Sequence, residues 1–112
     1  AQDVGMGRFD QGVLICGTGI GMSIAANKIA GVRAALCHSA FSARRAREHN
    51  DANIICLGAQ VIDLDTARET VRAYLDAEFE GARHARRVGK INALDGTSLL
   101  EESAAPQPRG ES

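Results

Sequence analysis

The sequence predicts an α/β fold, a parallel β-sheet with helices on its faces in a doubly wound layer structure. Three observations predict it. Short apolar runs alternate with segments of helical period. The links between them are only a few residues long. The first run, GVLIC at 12–16, is apolar at consecutive positions, as in strands covered on both faces.

The elements follow in chain order. AQDVGMGRFD at 1–10 reads as the end of a helix and a turn, so the natural start is expected upstream. Residues 12–16 form the first strand, bounded by Asp10-Gln11-Gly12 and by Gly17. IGMSIAANKI at 20–29 reads as a helix that Gly31 stops. VRAALC at 32–37 is a second strand with one polar interruption. Ser39 or Ser42 caps a helix that runs to about His49. Residues 53–57 (NIICL) are a third strand ended by Gly58. Asp63 or Asp65 caps a helix over 66–79, with Ala67, Val71, Tyr74, Leu75 and Phe79 on one face. A basic helix over 82–94 follows Gly81. The chain thus reads as one domain, 1–97, and a polar tail, 98–112, disordered from Ser103. Three strands make a small sheet with exposed edges, which looks like the back half of a larger domain.

Composition narrows the function. The chain has 112 residues, 45% hydrophobic and 24% charged, with a net charge of −1. That is ordinary for a globular domain and gives no electrostatic case for a nucleic-acid or membrane partner. The uncharged run Gln11–Asn27 is full of Gly, Ser and Thr and is not a membrane span. No secretory leader or lipid anchor is expected. Three cysteines, with no CxxC pair, fit reduced thiols in a cytoplasmic protein. No Cys or His pair has ligand spacing, and His49 and His84 are far apart and alone, so neither a zinc site nor a cofactor is expected.

Ligands of open parallel sheets bind beyond the carboxyl ends of the strands. Three segments should converge there: Cys16–Gly21, Cys37–Ser39 and Leu57–Gln60. The turn Gly17-Thr18-Gly19-Ile20-Gly21 offers backbone N–H groups that suit an anion or a developing oxyanion. Its spacing is GxGxG, not GxGxxG, and no Asp or Glu lies between Asp10 and Glu48. That counts against a dinucleotide site, and the absence of Lys-Ser/Thr counts against a nucleoside triphosphate loop. A tight turn with no ligand is the plain alternative.

Cys16 carries two readings. It is a small buried hydrophobe, as Cys37 and Cys56 are expected to be, or a thiolate acting as base or nucleophile. It ends the strand directly before a helix N-terminus, a place that favours the thiolate. His49 and Asn50 either close a solvated basic helix or stand at the site rim, where a neutral imidazole suits proton transfer. Arg83 and Arg87, four apart, share one helical face with Arg86 off it; a phosphate clamp and a solvated face both fit. A thiol, an oxyanion-type turn, a histidine and an arginine pair together suit a small phosphorylated substrate and proton transfer.

Three stretches then carry a resemblance. LICGTGIGMSIAANK, REHNDAN and EFEGARHARRV, in order and with the right spacing, closely resemble type B ribose-5-phosphate isomerases, a family shared with galactose-6-phosphate isomerase subunits. The resemblance runs from about residue 1 to 93. It implies a Rossmann-like three-layer αβα sandwich and a homodimer with active sites between subunits. It implies metal-free interconversion of an aldose phosphate and a ketose phosphate through an enediolate, with ribose 5-phosphate and ribulose 5-phosphate as the expected pair. By the same resemblance, Cys16 is the base that moves a proton between C1 and C2. Thr18 and the amides of Gly17, Gly19 and Gly21 match the anion hole. His49 assists furanose ring opening, Asn50 holds sugar hydroxyls, and Arg83 and Arg87 hold phosphate. Some relatives use a glutamate a little later in the turn, where this chain has Met22.

Three departures from the pattern stand out. The family's opening strand, ending in an Asp-His pair, has no counterpart in these 112 residues. Gln60 stands where many relatives have an arginine, and Phe41 where tyrosine is common. A related C4 or C6 sugar phosphate, a non-catalytic phosphosugar-binding or dimerising remnant, and a nucleotide-binding module remain as alternatives.

Overall fold

A computed structural model describes the backbone of residues 1–104 and the side chains of residues 1–95. The elements are α1 (Gln2–Gly5), β1 (Gly12–Cys16), α2 (Ile20–Ala26), β2 (Ala34–Leu36), α3 (Ala40–Asn50), β3 (Ile54–Gly58), α4 (Leu64–Asp76) and α5 (Ala82–Ala104). The three strands form one parallel sheet in the order β1-β3-β2. Gly12 of β1 and Ala34 of β2 both stand opposite Ile54. The central strand β3 is buried at all five residues.

Alternation along β3 sorts the core into two layers. Ile55 packs with Cys37, Ala43, Ala46, Ala52 and Tyr74 under α3 and α4. Ile54 and Cys56 pack with Ala26 and Val32 on the α2 side. Helices therefore cover both faces of the sheet, as the alternating sequence predicts. One expectation changes. β1 is not covered on both faces: Val13 is 38% and Ile15 57% exposed. Register places both on the α3–α4 face, opposite Ile55 and Leu57. There α4 packs against α3 and leaves the outer edge of the sheet open.

The helix ends also differ from the sequence reading, for local reasons. α2 stops at Ala26 rather than 29 because the Asn27 side chain leaves the helix and pairs with the edge of β2. Ala34 N–H donates to Asn27 Oδ1 (2.8 Å) and Asn27 Nδ2 donates to Ala34 O (2.9 Å). β2 starts at Ala34 rather than 32, since Arg33 N–H donates instead to the Asn53 side chain (2.8 Å). Ser39, not Ser42, caps α3, accepting from Ser42 N–H at 3.1 Å. Asp63, one of the two expected caps, caps α4, which starts at Leu64 rather than 66, and hydrogen bonds from Thr66 hold its carboxyl below the usual carboxylate range.

α4 ends at Asp76, and its buried residues are Thr70 and Tyr74, while Leu75 is exposed. The expected apolar face is thus rotated. Tyr74 decides the rotation. Its hydroxyl donates to Ala52 O at 2.8 Å, and burial pushes it up to about 12. α5 runs to Ala104, past the expected end at 94 and through the first residues of the expected tail. Asn92 accepts from Arg33 Nη1 and Asp95 from Gly31 N–H, both at 2.8 Å, which lash α5 across the start of β2. The rest of the tail, 105–112, lies outside the described residues. Among those residues, no helix is long and apolar enough to cross a membrane.

Candidate active site

At the carboxyl end of the sheet the glycine turn folds back on β3. Ala59 N–H donates to Cys16 O (2.8 Å) and Gln60 N–H to Gly17 O (2.9 Å). Gly58 must lack a side chain, since a Cβ there would lie 2.6 Å from the Thr18 carbonyl. Gly19 has φ +80°, and a Cβ on it would lie 2.5 Å from Leu36 Cδ1. Gly21 is different: nothing comes within 4 Å of its would-be Cβ. Thr18 and Gly21 are exposed, Gly17 and Cys16 half-buried.

Within this turn Gly19 N–H donates to Cys16 Sγ at 3.2 Å, and Ile20 N–H to Thr18 Oγ1 at 3.2 Å. The sulfur therefore accepts one backbone N–H of the turn, and the Thr18 hydroxyl accepts another. Gln60 lies against Gly17, 3.3 Å from its would-be Cβ. The other two cysteines are buried, and burial pushes both thiols up, Cys56 to about 11. They pack, as the sequence suggests. His38 follows β2 at this same end, within the Cys37–Ser39 segment that the sequence places here. Its Nε2 is buried without a hydrogen-bond partner among the described residues.

His49 and Asn50 do not join Cys16. α3 links the parallel neighbours β2 and β3, so it runs back along the sheet and delivers its last residues to the amino end. Asn50 lies exposed beside Arg33 and Ala34, where β2 begins, whereas Cys16 stands opposite Gly58, where β3 ends. A five-residue strand separates the two ends by about 13 Å. The expected site residues thus fall into two groups in one chain, one at each end of the sheet.

The amino-end group is a cluster of side chains. The His49 and His84 rings stack, with centroids 4.1 Å apart and planes at 19°. The two histidines are thus partners, not the isolated residues that sequence distance implies. Glu80 Oε1 stands 3.4 Å from His84 Nε2 and 3.7 Å from His49 Nε2. Arg45 Nη1 is 3.5 Å from His49 Nε2 and pairs with Glu48 at 3.0 Å. Arg87 Nη2 hydrogen-bonds His84 Nδ1. His84 is buried, while Arg83 and Arg87 are exposed beside it. Burial holds the His84 ring below the ordinary histidine pKa, with help from His49, Arg87 and Arg83 and against Glu80. Glu80 and His84 are the site residues that sequence reasoning missed. Their spacing of four was visible, but their contact with His49 is long-range.

His49, Glu80 and His84 bring three ligand-type atoms within 4.8 Å of one another. The donor set nevertheless suits a cation poorly. Arginine can only donate, so its bond to His84 Nδ1 leaves the proton on Nε2, the nitrogen a metal would need. Arg45, Arg83 and Arg87 add positive charge around it. The same surroundings suit an anion such as phosphate.

Comparison with known proteins settles the family. A family model described as Ribose/Galactose Isomerase matches residues 1–91. The chain belongs to the ribose/galactose isomerase family. Ribose-5-phosphate isomerase B of Escherichia coli is 49% identical over 89 residues, 80% of this chain and 60% of that protein. D-erythrulose-4-phosphate isomerase of Pectobacterium atrosepticum is 55% identical over 85 residues, 76% of this chain and 56% of its own length. The solved structure of ribose-5-phosphate isomerase B from Clostridium thermocellum is 53% identical, with a TM-score of 0.83 over 86% of this chain and 65% of that one. The three-layer Rossmann-like fold of the ribose/galactose isomerases is therefore present here. The chain spans about three fifths of the length of the relatives it matches.

Proposed function

We propose that this chain serves a sugar-phosphate aldose–ketose isomerase, with ribose 5-phosphate and ribulose 5-phosphate as substrate and product. In this reading the Cys16 thiolate removes the proton from C2 of the open-chain aldose. The electron pair moves onto the carbonyl oxygen and gives an enediolate. The hydroxyl proton passes from O2 to O1, the electron pair left on O2 closes the C2 carbonyl, and the proton on Cys16 goes to C1 to give the ketose. The turn amides of Gly17, Gly19 and Gly21, with Thr18, hold the developing oxyanion. His49 moves the proton that opens the furanose ring, and Asn50 binds sugar hydroxyls. Arg83 and Arg87 hold the phosphate. No metal or cofactor takes part.

The observation that carries this reading is the seat of Cys16. Its sulfur is half-buried at the end of β1 and already accepts the Gly19 N–H at 3.2 Å. Base and oxyanion donors thus share one turn. The two groups support a homodimer in which the Cys16 turn of one copy meets the His49 and arginine cluster of another. Among the described residues the cysteines are free, two of them buried, which fits a reducing cytoplasmic setting. A C4 sugar phosphate is the second reading. It is favoured by the 55% identity to an erythrulose-phosphate isomerase.

Cys16→Ala tests the assignment. We expect loss of solvent-proton exchange at C2 by about 100-fold or more, with substrate binding retained by calorimetry. Normal exchange in that variant would remove Cys16 from the mechanism.

A further inference from the structure

We propose that His84 is a positioning residue for His49: its buried, neutral ring is the fixed flat seat that holds the ring-opening histidine in line. The proposal rests on the reading of His49 given above.

Three observations carry it. The rings lie face to face at 4.1 Å and 19°. His84 is 7% exposed, so its own ring cannot swing into solvent. Arg87 donates to His84 Nδ1, which fixes the tautomer and blocks a second proton on that ring. The division of labour follows from charge. A histidine that opens a furanose must take up and release a proton. Two imidazolium rings repel when stacked this closely, so a proton on one ring requires the other to be neutral. Burial and Arg87 assign the neutral part to His84. The half-buried His49, 26% exposed at its side chain, keeps access to substrate. Glu80 Oε1 sits near both Nε2 atoms, and Arg45 Nη1 lies 3.5 Å from the same nitrogen of His49.

The chemistry supplies a selective test. Ribose 5-phosphate cyclises and needs ring opening. Erythrose 4-phosphate cannot form a furanose, because its C4 oxygen carries the phosphate. His84→Ala should therefore slow turnover of ribose 5-phosphate about tenfold more than turnover of erythrose 4-phosphate. His84→Phe, flat and uncharged, should bring the ratio of the two rates back to that of the parent. Equal losses on both sugars in His84→Ala, or no rescue by His84→Phe, would overturn the proposal and leave the isomerase reading intact. No turnover of either sugar by the parent counts against the isomerase reading instead.

The seat is then decided by proton NMR of the chain. His49 ring protons should carry a ring-current shift in the parent and in His84→Phe, and lose it in His84→Ala. The same arm decides where the parent turns over only one of the sugars. His49 signals unchanged in His84→Ala would overturn the proposal whatever the rates.

Discussion

At the carboxyl end of the sheet, the candidate site is made mostly of backbone: glycines at 17, 19 and 58, and one sulfur that accepts the Gly19 amide. At the amino end it is made of side chains: two stacked rings, a carboxylate and three arginines carried by α3, the link after α4, and α5. The first is set by contacts between two short segments and tolerates almost no added atom. The second depends on where separate helices end and keeps most of its groups in contact with water. Rigid backbone suits the placing of a base against a reacting carbon. Exposed cations suit the capture of a charged group.

The comparison breaks first on mixing. Cys16→Ala and His49→Ala/Arg83→Ala chains should each be inactive, being defective at opposite ends. Unfolded together and refolded, they should regain about a quarter of the parental rate, since half the dimers are mixed and each has one intact site. A mixture as inactive as its components would show that both ends do not meet across copies.

The difference in tolerance sharpens next. Gly58→Ala should cost about 1–3 kcal/mol, because the new methyl group meets the Thr18 backbone. Gly21→Ala, with open space around it and a helical position, should leave the melting temperature equal or raise it. Thermal unfolding of both variants checks this. Equal losses at the two positions would refute the close-approach account of the turn.

The smallest effect is in pH. His84 binds its proton less readily folded than unfolded, so the unfolded chain takes up more protons as pH falls. Its contribution to stability is whole above about 6.5, the ordinary histidine value, and is lost as pH drops below it. Urea midpoints at pH 7.5 and 5.5 should therefore fall further for the parent than for His84→Phe. Equal falls would show that His84 does not carry the loss.

What the sequence made legible follows the same divide. GVLIC, the glycine turn, the Ser39 and Asp63 caps and the buried character of Cys37 and Cys56 could all be read, because each depends on neighbours within a few residues. The errors all involve distant partners. Asn27 leaves its helix for Ala34, Tyr74 turns α4 toward Ala52, and Val13 and Ile15 stay uncovered because of where α4 settles. The pairing of His49 with His84, and the sheet's full depth between them and Cys16, required the path of α3. Residue type and spacing named the groups, but only the topology set them at opposite ends of the sheet.

The unequal burial of the thiols gives the molecule a covalent clock. Cys37 and Cys56 are 1% and 0% exposed, on opposite faces of the sheet, while Cys16 is half-open. An alkylating reagent should modify Cys16 directly, but reach the other two only when β3 separates from a helix layer. The delay between the first label and the next two, read by mass, times the opening of each face in turn.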